Sequence, residues 1–329
     1  MSATYAPATQ PTMYFIGVST GRSSIMKVFP RWAEFLGIPE AQLKGIDFPM
    51  NADPAAYRAA VEFIKSDPLS NGALVTTHKL DLFSACRDLF DEIDPHAQRL
   101  AETSSLSKSG EKLVAHAKDP ITAGLALDGF LPLNHWQKTG AEAFLIGAGG
   151  SSVATSWHLM CSPNNQGNRP SRILVTNRRG PRLEEMRHLH AGFGSEIPVE
   201  YLEIDLPEDN DTVLARLKPG SLVVNATGLG KDAPGSPLSA RGVFPEDGIA
   251  WEFNYRGDLV FLRQAQAQKE SRHLQIEDGW TYFIYGWTRV IAEVFHLEIP
   301  VSGKRFNQLC ELAAAAGKPS EAVRCGHGS

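Results

Sequence analysis

The sequence predicts an α/β protein with two domains, and three observations lead to this fold class. The chain has 329 residues, 43% of them hydrophobic, which is enough to build more than one buried core. Apolar runs of strand length alternate with runs of helical spacing along the first third of the chain. The same alternation restarts at Ala143, with a glycine-rich turn behind its first strand, which indicates a second domain.

The first domain is predicted to begin with three strand–helix pairs. Its first helix carries an apolar stripe from Ile25 to Leu36 at helical spacing, so one face is expected to be buried. Residues 113–116 and 121–131 are the last two patterned segments of this domain. The other predicted strands cover residues 14–18, 43–47 and 73–76, and the predicted helices cover residues 25–36, 55–64 and 80–90.

The second domain is predicted to be a Rossmann-type domain with a parallel, doubly wound sheet. Short apolar runs are separated by helix-compatible stretches, which is typical of strands buried on both faces. The polar segment CSPNNQGNRPSR between two of them is predicted to be a surface loop. The predicted strands cover residues 144–146, 173–176, 199–202, 222–225, 249–253 and 274–276.

Composition marks the ends of the domains. Residues 1–12 and 317–329 carry little pattern, so we expect a flexible N-terminal tail and a C-terminal tail. Residues 13–131 form the predicted first domain. The connector LPLNHWQKTGAE leads into the second domain, residues 132–280.

Charge and cysteine content exclude several function classes. The net charge of −5 offers no global attraction to nucleic acid or to an anionic membrane. The four cysteines are far apart and form no CxxC pair, so neither a disulfide framework nor a metal site is predicted. Because no secretion signal or long apolar span is present, we expect a cytoplasmic protein whose partner is a small molecule.

The segment FLIGAGGSSVATSW begins the second domain and predicts a dinucleotide site. Glycine allows the backbone to approach a pyrophosphate, whose charge is then held at the N–H groups of the following helix. Ser152 stands where a third glycine is usual, and a small residue still permits close packing there. The expected cofactor contacts are Gly147, Gly149, Gly150 and Ser151.

The end of the next strand indicates which dinucleotide is bound. An NAD site usually has an acidic residue there to accept hydrogen bonds from the ribose hydroxyls, whereas this chain has TNRRGPR. Guanidinium groups match a phosphate dianion, which an acidic residue would repel. Asn177, Arg178 and Arg182 are therefore expected to contact NADP.

Four segments together resemble the shikimate dehydrogenase family: GAGGSSVA, TNRRGPR, VVNATGLG and LVTTHK. The resemblance extends from residue 17 to residue 286. It implies that the N-terminal α/β domain holds the substrate, that the Rossmann-type domain holds NADP, and that the active site lies in the cleft between them. It also implies that helices from residues 281–316 complete the first domain.

The same resemblance implies catalytic roles for two residues. Lys79 corresponds to the lysine of the family's HK motif, and Asp119 in AHAKDPITAG corresponds to the aspartate of its NTDG motif. Oxidation of a secondary alcohol requires a proton to leave the oxygen as a hydride leaves the carbon. A lysine can hold that oxygen and relay its proton, while a neighbouring carboxylate orients the ammonium group.

The resemblance further implies two sets of binding residues. Those for the cofactor lie in VVNATGLG and are Asn225, Thr227 and Gly228. Those for the substrate are Ser23, Thr76, Thr77, Ser104 and Tyr255.

The chain departs from the family at several substrate-binding positions. Ile25 falls on the second of two serines that hold the substrate carboxylate, and Gly286 falls on a glutamine. Ser104 and Ala117 replace two asparagines, and Lys118 replaces a threonine. Because discrimination depends on each buried hydrogen-bonding group, these replacements predict a substrate other than shikimate.

The sequence therefore favours an NADP-dependent oxidoreductase that acts on a small polyol or hydroxy acid, as a monomer or homodimer. Two alternatives remain open: a non-catalytic NADP-binding regulatory protein, and a true shikimate or quinate dehydrogenase with a rebuilt carboxylate site. A reductase for a carrier-bound or folate substrate would share the Rossmann half, but it would not explain the THK and KDP segments.

Overall fold

The computed structural model describes residues 5–162, 167–231 and 233–317. The chain divides into two compact units. Unit 1 extends to Asp119 and takes in the C-terminal helices from Ile284, and unit 2 runs from Pro120 to Phe283.

Strands and helices alternate along both units. The strands are β1 (Thr12–Gly17), β2 (Gln42–Asp47), β3 (Ser70–Val75), β4 (Glu92–Ile93), β5 (Ser105–Ser109), β6 (Lys112–His116), β7 (Ala143–Ile146), β8 (Ile173–Asn177), β9 (Val199–Glu203), β10 (Leu222–Asn225), β11 (Ile249–Glu252) and β12 (Gln275–Glu277). The helices are α1 (Ile25–Leu36), α2 (Pro54–Ser66), α3 (Lys79–Cys86), α4 (Pro95–Leu100), α5 (Asp119–Phe130), α6 (His135–Thr139), α7 (Gly150–Cys161), α8 (Gly180–Ala191), α9 (Pro207–Leu214), α10 (Val260–Arg272), α11 (Trp280–Val294) and α12 (Gly303–Gly317).

Unit 1 contains a mixed sheet with the strand order β2-β1-β3-β5-β6-β4. β1 pairs in parallel with β2 and β3, as expected for the predicted strand–helix pairs. β5 runs antiparallel to β3 and forms a hairpin with β6. The sequence analysis did not find β5, because SLSKS has too few apolar residues to stand out from a loop.

The C-terminal helices pack on α1 and β1 of unit 1. Trp32 donates from Nε1 to the Leu309 carbonyl at 2.8 Å, and Ser24 donates from Oγ to the Gly317 carbonyl at 2.9 Å. The Trp287 ring lies edge-on to Phe15, with 4.8 Å between the ring centroids. These contacts join the C-terminal helices to the sheet and to α1 of unit 1.

Unit 2 contains the parallel sheet that the sequence predicts, with the strand order β12-β11-β10-β7-β8-β9. Every strand pair in it is parallel, which is the doubly wound arrangement of a Rossmann domain. Its central strands β7, β8 and β10 are buried along nearly their whole length, as their continuous apolar sequences require.

The boundary between the units lies before Pro120 and not at residue 131. From Pro120 onward the helix α5 belongs to unit 2 and makes contacts there: Asp128 Oδ1 lies 2.8 Å from His158 Nε2, and the rings of Phe130 and Trp251 lie 5.0 Å apart. The sequence analysis placed this helix in the first domain. Its apolar residues show no preferred face, so their pattern does not indicate the sheet on which the helix packs.

The predicted N-terminal tail is packed on unit 1 from Tyr5 onward, which corrects the expectation of flexibility over those residues. The Tyr5 ring stacks on Phe63, and the Ala8 N–H donates to Asp67 Oδ2 at 2.8 Å. Residues 1–4 of this tail and residues 318–329 of the C-terminal tail lie outside the described residues. Across the described ranges, no helix is long and apolar enough to cross a membrane.

We expect Gly72 to be far less tolerant of alanine than Gly37, although both have positive φ angles. A Cβ atom at Gly72 would lie 2.0 Å from the Leu106 carbonyl oxygen of the neighbouring strand, whereas a Cβ at Gly37 would meet no atom within 4 Å. Gly72→Ala should cost about 3 kcal/mol or more, because the clash adds to backbone strain. Gly37→Ala should cost about 1 to 2 kcal/mol from strain alone. Equal losses in the midpoint of thermal unfolding would contradict the β3–β5 contact.

Candidate active site

Lys79 is held at the amino end of α3 by the residue before it. His78 is buried, with its Nδ1 atom 2.9 Å from the Tyr57 hydroxyl and its Nε2 atom 3.2 Å from the Phe48 carbonyl. Thr77 has a φ angle of 51°, so the chain turns sharply between β3 and α3. His78 therefore anchors the loop that presents Lys79. Within the ranges that the structure describes, no group of three or more histidine, cysteine, aspartate or glutamate side chains could hold a metal ion.

Lys79 and Asp119 form an ion pair through Lys79 Nζ and Asp119 Oδ2. Their side chains are only 16% and 13% exposed, so the pair is largely shielded from water. Asp119 is the first residue of α5, where the helix dipole favours a negative charge. The structure thus brings together the two residues that the sequence analysis selected as catalytic.

Two carboxylates keep Lys79 charged. Burial disfavours the ammonium form, but Asp119 and Glu102 outweigh burial and raise the pKa of Lys79 above its ordinary value. The hydrogen bond from Lys79 to Asp119 acts in the same direction. At neutral pH the site therefore presents an ammonium donor next to a carboxylate acceptor.

The predicted substrate residues of unit 1 lie around this pair in different environments. Ser104 is buried, its carbonyl accepts from the Val75 N–H at 2.9 Å, and its Oγ accepts from the Lys118 N–H at 2.8 Å. Thr76 is partly buried, and Thr77 is exposed. Ser23 follows the 3-10 turn over Thr20–Arg22 at the carboxyl side of β1.

Tyr255 belongs to unit 2, unlike the other predicted substrate residues. Its ring packs against Trp280 and Phe283, with centroid distances of 5.5 and 4.6 Å. The ring is therefore a partly buried member of an aromatic cluster.

A polar network beside the Lys79–Asp119 pair was missed by the sequence analysis. Lys118 donates from Nζ to Glu293 Oε2 at 2.6 Å, and Glu293 Oε1 lies 3.5 Å from His116 Nε2. His116 Nε2 also lies 2.8 Å from the Ser107 hydroxyl. Lys118 and Glu293 are 175 residues apart, so no spacing rule could have paired them.

The glycine turn of unit 2 has the shape that the sequence predicts. Gly147 has a φ angle of 105°, and Gly149 caps α7, which begins at Gly150. A Cβ at Gly149 would meet no atom within 4 Å, so the space in front of the helix is open. Ser152 is buried and donates from Oγ to the Gly147 carbonyl at 2.5 Å, which fixes the turn. Ser151 lies in the first turn of α7, where backbone N–H groups face outward.

In the basic segment at the end of β8, some side chains pair with other residues and others are exposed. Asn177 Oδ1 accepts from the Ala148 N–H at 3.4 Å and so joins this strand end to the glycine turn. Arg178 and Arg179 are exposed. Arg182 lies in α8 and pairs with Glu185, one turn later.

The end of β10 carries the remaining predicted cofactor residues. Asn225 is buried, and its Oδ1 accepts from the Thr227 N–H at 3.1 Å and from the Thr227 hydroxyl at 2.7 Å. Gly228 has a φ angle of 75°, which favours glycine. The partner of the Asn225 Nδ2 group is Glu252 Oε2 at 2.7 Å, and the sequence analysis had not selected Glu252.

These residues fit a dinucleotide. The open space before α7, the outward N–H groups and the exposed guanidinium groups lie at the carboxyl ends of parallel strands, where doubly wound sheets bind nucleotides. No residue of the turn places a bulky side chain in front of the helix.

Sequence comparison finds one informative relative, the NADP-dependent shikimate dehydrogenase of Lactococcus lactis. It is 24% identical over 179 residues, which are 54% of this chain and 59% of that protein. The match therefore spans less than two thirds of the relative. No family model matches the sequence.

Comparison with solved structures covers nearly the whole chain. Shikimate dehydrogenase from Aquifex aeolicus has a TM-score of 0.69 at 17% identity, with 94% of this chain and 99% of that chain covered. The Thermus thermophilus enzyme, solved with NADP(H) and shikimate, has a TM-score of 0.65 at 22% identity, with coverage of 92% and 98%. Quinate dehydrogenase from Corynebacterium glutamicum, solved with NAD, has a TM-score of 0.69 at 18% identity, with coverage of 93% and 99%. This chain has the α/β fold of the shikimate and quinate dehydrogenases and resembles one of them in sequence.

Proposed function

We propose that the protein is an NADP-dependent oxidoreductase that interconverts a secondary alcohol and a ketone on a small polyol or hydroxy acid. The observation that carries the proposal is the shielded Lys79–Asp119 ion pair in a chain with this fold. A shielded ion pair costs desolvation energy and adds little net stability, so its presence calls for a functional reason.

Lys79 holds the reacting oxygen in this proposal. Its raised pKa keeps it an ammonium group, which donates a hydrogen bond to the hydroxyl or ketone oxygen. In the oxidation direction the hydroxyl proton passes to Lys79 as Lys79 gives a proton to Asp119. In the reduction direction the same protons move in reverse, so the pair serves as acid and base in turn.

The cofactor residues supply binding and orientation. Gly147, Gly149, Gly150 and Ser151 hold the pyrophosphate at the amino end of α7, while Asn225, Thr227 and Gly228 support the nicotinamide half. Asn177, Arg178 and Arg182 serve the adenosine end with its 2′-phosphate. NADP supplies the hydride acceptor when it is bound.

Two alternative functions remain, and measurements of catalysis and of shikimate turnover distinguish them from the proposed one. A non-catalytic NADP-binding regulatory protein has no chemical need for both Lys79 and Asp119. A true shikimate or quinate dehydrogenase would require other groups to bind the carboxylate.

The compartment and assembly are part of the proposal. The described cysteines form no disulfide, which favours a reducing compartment, and we propose the cytoplasm. A monomer or homodimer is compatible with a site whose proposed residues all come from one chain.

Lys79→Met should reduce kcat by about 100-fold or more while the Kd for NADP stays near the parent value, because the variant loses only the acid–base group. Steady-state kinetics and cofactor titration measure the two effects. Lys112→Met is the matched control, because Lys112 forms an exposed ion pair with Glu92 in the same unit. An unchanged kcat in Lys79→Met would refute the proposed chemistry and leave the regulatory alternative.

Arg178→Asp should weaken NADP binding by at least about tenfold while changing NAD binding little, because a phosphate attraction becomes a repulsion. Titration of both dinucleotides at two salt concentrations checks this, since the difference should shrink at high salt. Arg263→Asp, an exposed charge reversal on α10, should leave the NADP-to-NAD ratio unchanged. A parent enzyme that prefers NAD would overturn the cofactor assignment.

Shikimate should be a poor substrate, with kcat/KM below about 10⁴ per molar per second. Ile25 and Ala117 are buried apolar residues, so neither supplies the hydrogen-bonding group expected at its position. Each lost hydrogen bond to a charged group costs about 1.5 to 3 kcal/mol. Kinetics with shikimate, quinate, neutral cyclitols and sugar-derived hydroxy acids test this, and efficient shikimate turnover would support the rebuilt carboxylate site instead.

A further inference from the structure

A buried carboxylate lies at the end of β11, below the two loops that follow β10 and β11. Glu252 is 0% exposed. Its Oε2 atom accepts from Asn225 Nδ2 at 2.7 Å, and its Oε1 atom accepts from the Asn254 N–H at 2.8 Å. Both oxygens therefore act as acceptors, which is the pattern of an ionised carboxylate.

The hydrogen bonds continue from Glu252 into the loop after β10. Because Asn225 gives its N–H₂ group to Glu252, its Oδ1 faces the Thr227 N–H and hydroxyl. The Thr227 hydroxyl in turn accepts from the Leu229 N–H at 3.1 Å. Glu252 thus fixes the orientation of the Asn225 amide, and that amide fixes the backbone at Thr227.

The loop after β11 is hydrogen-bonded to the loop after β10. Asn254 donates from Nδ2 to the Leu229 carbonyl at 3.1 Å, and the Leu259 N–H donates to the Gly230 carbonyl at 3.3 Å. A Cβ at Gly257 would lie 2.2 Å from the Gly230 carbonyl oxygen, so the two loops touch at backbone distance. Any change at Glu252 acts on both loops.

We infer that Glu252 is a positioning residue for the dinucleotide, and that its ionised carboxylate holds the loop carrying Thr227 and Gly228 in the binding conformation. The inference rests on the proposed NADP function. Glu252 has no direct role in the chemistry and acts through Asn225.

Protonation of Glu252 would break this arrangement. A proton on Oε2 would face the Asn225 N–H₂ group, donor against donor, unless the amide rotates. After rotation the Asn225 N–H₂ group would face the Thr227 N–H, again donor against donor, so the hydrogen bond that fixes the backbone at Thr227 would be lost.

Burial of Glu252 brings its protonation into a pH range in which binding can be measured. Burial raises the pKa of Glu252 to about 8, although hydrogen bonds from Asn254 and Asn225 and the charge of Lys231 lower it. The folded pKa lies above the unfolded value, so the protonated form gains population as pH falls below 8. The other charged groups on the adjoining segments are Arg256, Asp258, Glu277 and Asp278.

The test measures the Kd of NADP by titration between pH 7 and pH 9.5, above the range in which a phosphate monoester titrates. If only the ionised form binds, the parent protein should bind about tenfold more tightly at pH 9 than at pH 7. Glu252→Gln should remove this pH dependence and bind at least about tenfold more weakly than the parent at pH 9, because a neutral amide cannot accept at both positions. Glu252→Asp should retain part of the dependence.

Glu277→Gln is the matched control, because it removes a carboxyl of raised pKa from the neighbouring strand β12. It should leave both the affinity and its pH dependence unchanged. Parent-like affinity and pH dependence in Glu252→Gln would refute the inference, and so would a flat pH profile in the parent, which decides the matter even where a variant fails to fold. A parent protein that binds no NADP at any pH would instead refute the proposed function.

Discussion

The proposed chemistry depends on a pair of opposite charges held away from water. The desolvation cost of burying Lys79 and Asp119 is offset only if each charge keeps a partner, so the two side chains must stay in contact. The two helix ends are not equivalent in this respect. Asp119 gains from the amino end of α5, whereas Lys79 stands at the amino end of α3, where a helix dipole disfavours a cation. Asp119 and Glu102 therefore hold the ammonium in place, and a substrate oxygen would meet a donor that is already oriented.

Strand direction explains why the polar residues of each unit gather at one edge of its sheet. In unit 1, β1, β3 and β6 end at the edge where the antiparallel strand β5 begins. The loop before Lys79, the residue Ser104 and the segment leading to Asp119 consequently meet there. In unit 2 the parallel strands β7, β8, β10 and β11 all end at the glycine-turn edge. Each set of residues is distant in sequence and adjacent in space for this single topological reason.

The strands β1, β7, β8 and β10 could be predicted from sequence because their apolar runs are nearly continuous. The glycine turn could be predicted because positive φ angles and close backbone approach require glycine. The hairpin strand β5 could not, since SLSKS is buried by its neighbours and not by its own apolarity. The catalytic pair came from resemblance and not from spacing, because Lys79 and Asp119 are 40 residues apart. The sequence analysis missed Glu252 for a related reason. A glutamate in an apolar strand is stabilised by an asparagine 27 residues upstream, and only the sheet register brings the two together.

Several residues at the expected substrate-binding positions are part of the frame of unit 1. Ile25 is a fully buried core residue, and Ser24 uses its hydroxyl to hold the end of α12. Ser104 accepts from the Lys118 N–H, and the Lys118 ammonium is neutralised by Glu293. The polar groups of Ser24, Ser104 and Lys118 are thus engaged in contacts within the protein. Gly286, by contrast, leaves open space, because a Cβ there would meet no atom within 4 Å. Both observations support the proposal of a substrate that depends less on a charged group than shikimate does and that uses the room beside α11.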